Sequence, residues 1–450
     1  MHSPADSDTI AALATPPGRG GVAIVRMSGG RALEFAARVA GPLPAARHAV
    51  LRPLRDETGQ IIDRALVLAF PGPHSFTGED VVEFQVHGSP VLAALLQQRL
   101  VALGARPAGP GEFTRRAFIN GRLDLAQAEA VADLVASASA TAARAALRSL
   151  EGEFSTAVHG LVEALTLLRV RLEAGLDFPE EGVDAFSDPA LAGELASLRA
   201  ALASLRAAAE RGRVLRDGLT LVIAGAPNAG KSSLLNRLAG YEAAIVTDLP
   251  GTTRDLVRED ILIDGMPVRV IDTAGLRDAP DRVEAEGIRR ARDAMGRADL
   301  VLLVEDASAA DQAPVELALP AGIDVLRVRN KIDLAGLSPG ETQDSDGRWT
   351  LCLSVLTGAG IDLLRARLKA LAGYVEGAGG AYSARRRHLE AVDHAAARLD
   401  AAHALIVGGH AVELAAEELR LAQSALAEVT GEFSTEDLLG RIFSEFCIGK

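Results

Sequence analysis

A strand-like run followed by glycines, a lysine and a serine is the clearest sign of chemistry in this 450-residue sequence. Residues 219–224 are apolar and β-prone, residues 225–232 read Gly-Ala-Pro-Asn-Ala-Gly-Lys-Ser, and a helical pattern follows. This is the P-loop pattern in the strand–loop–helix context that it requires. The glycines let backbone N–H groups approach phosphates, Lys231 reaches the β- and γ-phosphates, and the Ser232 hydroxyl can bind Mg²⁺. The nucleotide contacts predicted here are Asn228, Ala229, Gly230, Lys231, Ser232 and Ser233.

A second motif, about 100 residues after the P-loop, indicates which base is bound. Asn330, Lys331, Ile332 and Asp333 follow an apolar strand-like run that ends at Val328. The Asp333 carboxylate can accept two hydrogen bonds from the N–H edge of guanine, which adenine cannot donate. A further loop, made of Ser354, Val355 and Leu356, falls where a guanine-contacting loop is expected. The sequence of this loop departs from the usual Ser-Ala-Lys or Ser-Ala-Arg, so we expect only backbone contacts with the nucleotide there.

Two segments between these motifs fit the phosphate and metal functions of a GTPase. Asp272 ends a strand-like run, as a Walker-B aspartate should, and Gly275 suits a γ-phosphate sensor. Thr253 lies in the loop that precedes this strand-like run, and it is the natural second Mg²⁺ ligand in such a loop. The further contacts predicted from these segments are Thr247, Asp248, Leu249, Pro250, Gly251, Thr252, Thr253, Asp272, Thr273, Ala274 and Gly275. The ordered set predicts a GTPase domain.

The residue after Gly275 raises the question of how GTP would be hydrolysed. Small regulatory GTPases place a water-orienting glutamine there, but this chain has Leu276, which cannot orient water. The alternatives are a carboxylate from residues 277–288 and a cation supplied elsewhere. The candidate carboxylates are Asp278, Asp281, Glu284 and Glu286, any of which could instead lie on a solvated helix face.

Three regions of the chain must position these motifs. Residues 1 to about 120 alternate short apolar runs (21–27, 61–70 and 81–86) with helical stretches, which predicts a mixed α/β domain. Residues 123 to about 213 are helical and Ala-rich. Residues 218 to about 373 alternate strands (219–224, 268–272, 300–305 and 324–328) with helices, as in a parallel sheet. The helical pattern resumes after residues 377–380, so we predict one helical domain with the α/β domain inserted into it.

Composition excludes several classes of protein. The formal net charge of −13 argues against a chain that holds nucleic acid by its own charge alone. Only four residues are lysine, and the two cysteines exclude a disulfide scaffold. The nine histidines show no metal-ligand spacing, so no zinc is predicted. With no secretory signal, and apolar runs far shorter than the roughly 18 residues of a membrane span, we predict a soluble cytoplasmic protein.

These motifs and their order resemble the MnmE (TrmE) family of tRNA-modification GTPases over the whole chain. The N-terminal residues 15–21, 75–80 and 124–130 also match, and the terminal Cys447-Ile448-Gly449-Lys450 is the most family-specific feature. The resemblance implies a folate-binding α+β domain that dimerises (1–121), a helical domain in two parts (122–215 and 376–450), and an inserted P-loop GTPase domain (216–375).

The family activity implied is K⁺-dependent GTP hydrolysis coupled to modification of tRNA. Together with MnmG, an FAD-containing partner, such a homodimer forms a heterotetramer. The complex adds an aminomethyl or carboxymethylaminomethyl group to carbon 5 of the wobble uridine. Formyl- or methylene-tetrahydrofolate would donate the one-carbon unit.

The resemblance also assigns roles residue by residue. It implies K⁺ binding by Asn228, Thr247, Leu249 and Thr252, Mg²⁺ binding by Ser232 and Thr253, and Glu284 as the catalytic carboxylate. Folate would contact Arg26, Glu83, Arg122 and Lys450, although the family usually has lysine at the position of Arg122. Cys447 has two interpretations, a catalytic or substrate-facing thiol and a small hydrophobe on an apolar helix face, whereas Cys352 is expected in the core.

Two other functions are alternatives to this one. The first is an RNA-binding assembly switch on a ribosomal particle, but no basic RNA-binding module is visible and such a switch needs no folate domain. The second is a membrane-associated transport GTPase, for which the sequence contains no span.

Overall fold

The computed structural model describes ten ranges of the chain. They are residues 8–177, 189–240, 258–272, 298–309, 323–344, 347–374, 381–408, 412–432, 436–444 and 446–449. The chain forms two compact units. The first unit contains Met1–Ala132, Ser149–Ala201 and Ala391–Lys450, and the second contains Asp133–Arg148 and Leu202–Glu390.

A six-stranded sheet forms the N-terminal part of the first unit. Its strands are β1 (Ile10–Leu13), β2 (Val22–Ser28), β3 (Val50–Arg55), β4 (Ile61–Phe70), β5 (Val81–His87) and β6 (Arg106–Pro107), in the order β3-β4-β5-β2-β1-β6. Only the β1–β6 pair is parallel. In β4 the buried residues alternate with exposed ones, so one face packs and the other meets solvent.

Helices α1 (Ala32–Ala40) and α2 (Pro90–Ala102) supply the rest of that core. Phe35 and Leu96 are fully buried among apolar residues of β2, β4 and β5. A smaller cluster joins Ile10 and Ala12 of β1 to Phe113 of α3 (Glu112–Ile119). The sheet therefore carries apolar contacts that fix α3 beside β1.

Long helices make up most of the remainder of the first unit and continue into the second. They are α4 (Leu125–Ala136), α5 (Ala140–Leu150), α6 (Glu153–Asp177), α7 (Pro189–Asp217), α11 (Arg386–Val407), α12 (Val412–Thr430) and α13 (Glu436–Ser444). Leucines at helical spacing, such as Leu161, Leu165 and Leu168, are buried along α6. Helix α6 packs against α12, and Arg169 donates to the Gln423 Oε1 atom at 2.9 Å. Segments more than 200 residues apart thus pack on one another.

A seven-stranded sheet forms the centre of the second unit. Its strands are β7 (Leu219–Gly225), β8 (Arg258–Ile263), β9 (Met266–Asp272), β10 (Leu300–Asp306), β11 (Asp324–Asn330), β12 (Gly340–Gln343) and β13 (Trp349–Cys352), in the order β12-β13-β11-β10-β7-β9-β8. The inner five strands are parallel and the edge strands β8 and β12 are antiparallel. Helices α8 (Lys231–Ala239), α9 (Ile332–Ala335) and α10 (Ile361–Leu371) also belong to this unit.

The parallel strands read as continuous apolar runs because both faces of the sheet are covered. Leu300–Val304 of β10 and Leu221–Ala224 of β7 are buried throughout. The sequence-based predictions of strands over residues 219–224, 268–272, 300–305 and 324–328 are confirmed. The helical interpretation of residues 123–213 is confirmed for its described residues as well.

Candidate functional site

The loop between β7 and α8 has the backbone of a phosphate-binding turn. Gly225 and Gly230 have φ values of +142° and +98°, in the region that favours glycine. A Cβ at Gly225 would lie 2.1 Å from the Val304 carbonyl oxygen, and a Cβ at Gly230 would lie 2.3 Å from Asn330 Nδ2. Only glycine fits at either place, and the chain turns from strand to helix around an open cradle.

Lys231 closes that cradle at the first residue of α8. Its side chain is 8% exposed, and its Nζ atom donates to the carbonyl oxygens of Gly225 at 3.0 Å and Ala226 at 2.8 Å. The positive end of the helix dipole and a buried ammonium group therefore point into the same turn, which suits a polyphosphate. Ser232 and Ser233 are exposed in the first turn of α8, and Asn228 is exposed with a φ of +60°.

Asn330 connects the phosphate loop to the base loop. It is 3% exposed at the end of β11, its Nδ2 donates to the Ala229 carbonyl at 2.9 Å, and its Oδ1 accepts from the Val355 N–H at 3.0 Å. The side-chain amide of Asn330 therefore holds together two loops that are more than 100 residues apart in the sequence. The sequence motif pointed to this residue as a base contact, and its structural partners lie on neighbouring loops.

Lys331 and Asp333 lie next to this amide. The Lys331 Nζ atom is 2.6 Å from Asp306 Oδ2 at the end of β10. Hydrogen bonds from Lys331 and Ser308 hold the pKa of the Asp306 carboxyl below its ordinary value, so it is ionised at neutral pH. Asp333 is exposed at the start of α9, so its carboxylate is accessible to a ligand. Asp306 is a residue that motif reasoning missed, because its partner is on another strand.

The loop after β13 completes this edge of the sheet. Ser354 is fully buried and its Oγ accepts from the Thr357 N–H at 3.2 Å, whereas Leu356 is 82% exposed. The exposed Leu356 side chain makes the loop accessible at its tip. The P-loop, Asn330–Asp333 and Ser354–Leu356 are thus brought to the carboxyl ends of adjacent parallel strands, where ligands of such sheets bind.

Several predicted residues lie outside the described ranges. They are Thr247, Asp248, Leu249, Pro250, Gly251, Thr252, Thr253, Thr273, Ala274, Gly275, Glu284 and Lys450, with the candidates Asp278, Asp281 and Glu286. Of Asp272 only the backbone, at the end of β9, is described.

The first unit contains a second polar site around Arg26 and Glu83. These residues face each other across β2 and β5, and the Arg26 Nε atom is 2.8 Å from Glu83 Oε1. The Arg26 guanidinium also lies 5.8 Å from the ring centre of Phe76 and 5.7 Å from that of Phe113. An ion pair that is 24% and 16% exposed, beside a half-exposed aromatic ring, can bind a flat ligand with N–H donors.

The loop that carries Phe76 is held by buried polar side chains. Ser28 donates to Glu79 Oε2 at 2.7 Å and accepts from the Thr77 hydroxyl at 2.7 Å. Arg116, which is 2% exposed, lies 3.1 Å from Glu79 and 2.6 Å from Asp8. Burial alone would lower the pKa of Arg116, but the carboxylates around it raise it, so the charge persists. The sequence signal for this network was Glu79, one of two acidic residues within the 75–80 motif.

The Arg122 side chain lies against the loop that carries Phe76, next to Gly78. It is exposed, and a Cβ built at Gly78 would lie 3.2 Å from Arg122 Cγ. Gly78 has a φ of +80°, a backbone conformation that favours glycine at this position.

The C-terminal residues 446–449 pack beside β1. A Cβ at Gly449 would lie 2.2 Å from the Leu13 carbonyl oxygen, Ile448 forms a bridge with Pro110, and the Gly111 N–H donates to the Cys447 carbonyl at 3.3 Å. Strand β1 is the neighbour of β2, which carries Arg26. Cys447 is exposed, so it does not pack as a buried hydrophobe, and Phe443 and Phe446 fill that apolar position instead.

Cys352 was expected in the core, but it is only partly buried on β13. Among the residues described, no cluster of three histidine, cysteine or acidic side chains could hold a metal ion. None of the helices within these ranges combines the length and apolar character required to cross a bilayer.

Comparison with known proteins identifies relatives over the whole chain. A family model described as the MnmE helical domain matches residues 125–447, and one described as the GTP-binding protein TrmE N-terminus matches residues 9–122. A protein of Alkalilimnicola ehrlichii named tRNA modification GTPase MnmE is 56% identical, over 98% of this chain and 99% of its own. One of the same name from Stutzerimonas stutzeri is 54% identical over 98% and 99%.

One solved structure resembles part of the chain. The G domain of the T. maritima FeoB iron transporter is 26% identical and covers 34% of this chain and 98% of its own, with a TM-score of 0.25.

Proposed function

The chain belongs to the MnmE family of tRNA modification GTPases, and from this we propose that its GTP hydrolysis drives modification of carbon 5 of the wobble uridine of tRNAs. As a member of this family, the protein binds GTP and is a GTP hydrolase that acts in tRNA modification. The finer chemistry is an aminomethyl or carboxymethylaminomethyl group built from a folate one-carbon unit. The main observation that supports the folate part is the packing of the C-terminal segment beside β1, the neighbour of the strand that carries Arg26.

We divide the chain into four segments for this function. Residues 1–121 form the folate-binding and dimerisation domain, residues 122–215 and 376–450 the helical domain, and residues 216–375 the inserted GTPase domain. The packing of α6 on α12 supports a helical domain assembled from both sides of the insertion. The sheet that runs from β7 to β13 lies within the segment assigned to the insertion.

The nucleotide would bind with its phosphates in the cradle of Gly225, Gly230 and Lys231. Mg²⁺ would be held by the Ser232 hydroxyl, which is exposed in the first turn of α8, together with Thr253. The guanine would lie between Asn330–Asp333 and Ser354–Leu356, with its N–H edge on the Asp333 carboxylate.

K⁺ is the cation that we assign to the β–γ phosphate bridge, where it would stabilise developing negative charge. Asn228 fits this role because its side chain is exposed at a left-handed turn beside Ala229 and Gly230. Thr247, Leu249 and Thr252 would complete the ligand set. Glu284 would orient the attacking water, since Leu276 cannot.

The K⁺ assignment predicts that GTP hydrolysis differs between potassium and sodium salts. At equal ionic strength, we expect a rate in KCl that is higher than in NaCl by about two orders of magnitude, as for other groups that neutralise transition-state charge. Initial rates of phosphate release from the full chain measure this difference. A Glu284→Ala variant serves as the control and should be slow in both salts while its GTP affinity is unchanged. Equal wild-type rates in the two salts would refute the K⁺ assignment.

Folate would bind beside the Arg26–Glu83 pair. The Glu83 carboxylate can accept the adjacent N–H donors of a pterin ring, and the rings of Phe76 and Phe113 offer apolar contact. Arg122 and Lys450 would meet the anionic tail of the cofactor as point charges. Formyl- or methylene-tetrahydrofolate supplies the one-carbon unit when bound.

We assign the redox chemistry of the reaction to MnmG, the FAD-containing partner, in a heterotetramer built on a homodimer of this chain in the cytoplasm. The net charge of −13 fits a chain that meets tRNA together with a partner rather than by its own charge alone.

Analysis of tRNA nucleosides tests the proposed function. In a deletion strain we expect loss of C5-modified wobble uridine, with restoration by the wild-type gene. We expect Cys447→Ser to hydrolyse GTP at the wild-type rate without restoring the modified nucleoside, because the exposed thiol belongs to the segment that packs beside β1, the neighbour of the strand that carries Arg26. Unchanged nucleosides in the deletion strain would favour the assembly-switch function, and full restoration by Cys447→Ser would remove the thiol from the mechanism.

A further inference from the structure

One buried carboxylate in the second unit contacts both segments that connect the nucleotide-binding sheet to the helices. Asp133 lies on α4, and its side chain is 6% exposed. We call residues 213–218, which lead into β7, the incoming segment, and residues 381–385, which lead into α11, the outgoing segment. Asp133 Oδ1 accepts from Arg216 Nε at 2.8 Å and from Arg385 Nη2 at 2.9 Å, and its Oδ2 accepts from the Ser383 hydroxyl at 2.6 Å.

The outgoing segment is also pressed against the helix that carries the incoming one. A Cβ at Gly212 of α7 would lie 1.4 Å from the Tyr382 carbonyl oxygen. The Ser383 N–H donates to the Ala145 carbonyl at 3.3 Å, and Arg148 donates to the Ala381 carbonyl. The outgoing segment is therefore in contact with α5 and with α7, the helix that continues into the incoming segment.

The cluster lies at the edge of the sheet opposite to the P-loop. Thr220 at the start of β7 and Asp299 just before β10 line a cavity of about 390 Å³ that Asp133 and Arg216 also border. Asp299 accepts from the Thr220 N–H at 2.8 Å. The P-loop follows the other end of β7, so one seven-residue strand connects the phosphate cradle to the incoming segment.

We propose that Asp133 is a positioning residue that couples the nucleotide state of the P-loop to α4 and α11. Because β7 is a single rigid strand, a rearrangement at the P-loop reaches Arg216 directly. Because Asp133 is hydrogen-bonded to Arg216 and also to Ser383 and Arg385, a displacement of the incoming segment displaces the outgoing segment with it. The cavity beside the cluster gives these side chains room to shift. The proposal rests on the GTP hydrolysis and tRNA modification assigned above and adds the residue that connects them.

The test is an Asp133→Asn variant of the full chain, which keeps the shape of the side chain and removes its charge. We expect GTP affinity and hydrolysis within about twofold of wild type, and a drop of about tenfold or more in modified wobble uridine, which is the size of a typical coupling between sites. Hydrogen exchange with and without a non-hydrolysable GTP analogue gives a readout that does not depend on tRNA. In wild type, the analogue should change exchange in 381–390 and α4, and in the variant this change should vanish.

Two further variants distinguish coupling from a structural effect. Asp217→Asn, whose carboxylate is 2.7 Å from Arg216 Nη1 on the incoming side, should couple normally. Ser383→Ala removes one hydrogen bond without leaving a charge unpaired, and it should weaken coupling if Asp133→Asn fails to fold. The proposal is overturned if Asp133→Asn or Ser383→Ala retains the analogue-dependent exchange change, if hydrolysis falls together with modification, or if wild type shows no such change. Failure of the wobble-uridine function alone would leave the exchange result intact.

Discussion

Replacing Asn330 with alanine is expected to lower the affinity for GTP and GDP by about thirty- to hundredfold. In the structure its amide holds the Ala229 carbonyl and the Val355 N–H together, and it is 3% exposed. Each buried hydrogen bond contributes about 1 to 1.5 kcal/mol. Without the amide the phosphate and base loops are no longer pre-positioned, so the binding-competent fraction falls and apparent affinity falls with it. Titration calorimetry with each nucleotide measures the change.

The control for this prediction is on the same loop. Leu356 is 82% exposed next to Val355, so Leu356→Ala should leave affinity within about twofold, the size of effect typical for an exposed residue. A lower melting temperature of Asn330→Ala without a change in affinity would show that the bridge stabilises the fold and does not prepare the site. Affinity equal to wild type would contradict the pre-positioning argument.

Much of the central sheet could be predicted from the sequence because its strands are buried on both faces. Uninterrupted apolar runs such as Leu300–Val304 indicate buried strands. The P-loop and the Asn330–Asp333 motif show where β7 and β11 end. The edge strands β8 and β12 were not predicted. Their residues pair on one side only and include polar side chains, so periodicity alone gives a weak signal.

The N-terminal sheet shows a second limit of sequence reasoning. Strand β6 has two residues, and its pairing with Ile10 and Ala11 is a contact between distant segments that no local pattern encodes. The same holds for Gly449, which approaches Leu13 across more than 400 residues. Strands β4 and β5, by contrast, carry clean alternation or apolar runs and were predicted to within a residue.

The candidate site divides in the same way. The residues that we propose to contact the nucleotide, such as Lys231 and Asn330, were predicted from motifs because GTP binding demands those residue types at that spacing. Asp306, which pairs with Lys331, and Asp133, at the opposite end of the sheet, were not predicted, because their contacts depend on which strands and helices become neighbours. Cys447 is an intermediate case: a thiol in an apolar pattern was ambiguous, and its exposure came only from the packing of Phe443 and Phe446.

Gly212→Ala is expected to destabilise the second unit by at least about 3 kcal/mol. In most helices this substitution stabilises, since alanine loses less backbone entropy on folding. Here the new methyl group would lie 1.4 Å from the Tyr382 carbonyl oxygen and 2.5 Å from its carbon. A backbone carbonyl cannot rotate aside, so α7 and the outgoing segment must separate. Thermal unfolding followed by far-UV circular dichroism, with GTP added to identify the transition of the nucleotide-binding unit, measures the effect.

Gly193→Ala on the same helix is the matched control for this clash. Gly193 is exposed on α7 and a Cβ there meets nothing within 4 Å, so this substitution should stabilise the helix by about 0.5 to 1 kcal/mol. The same chemical change would thus have opposite signs at two positions of one helix, and only the approach of the outgoing segment distinguishes them. If Gly212→Ala melted at or above the wild-type temperature, α7 and residues 381–385 would not be in close contact. The path proposed from β7 through Asp133 to α11 would then lose its structural basis.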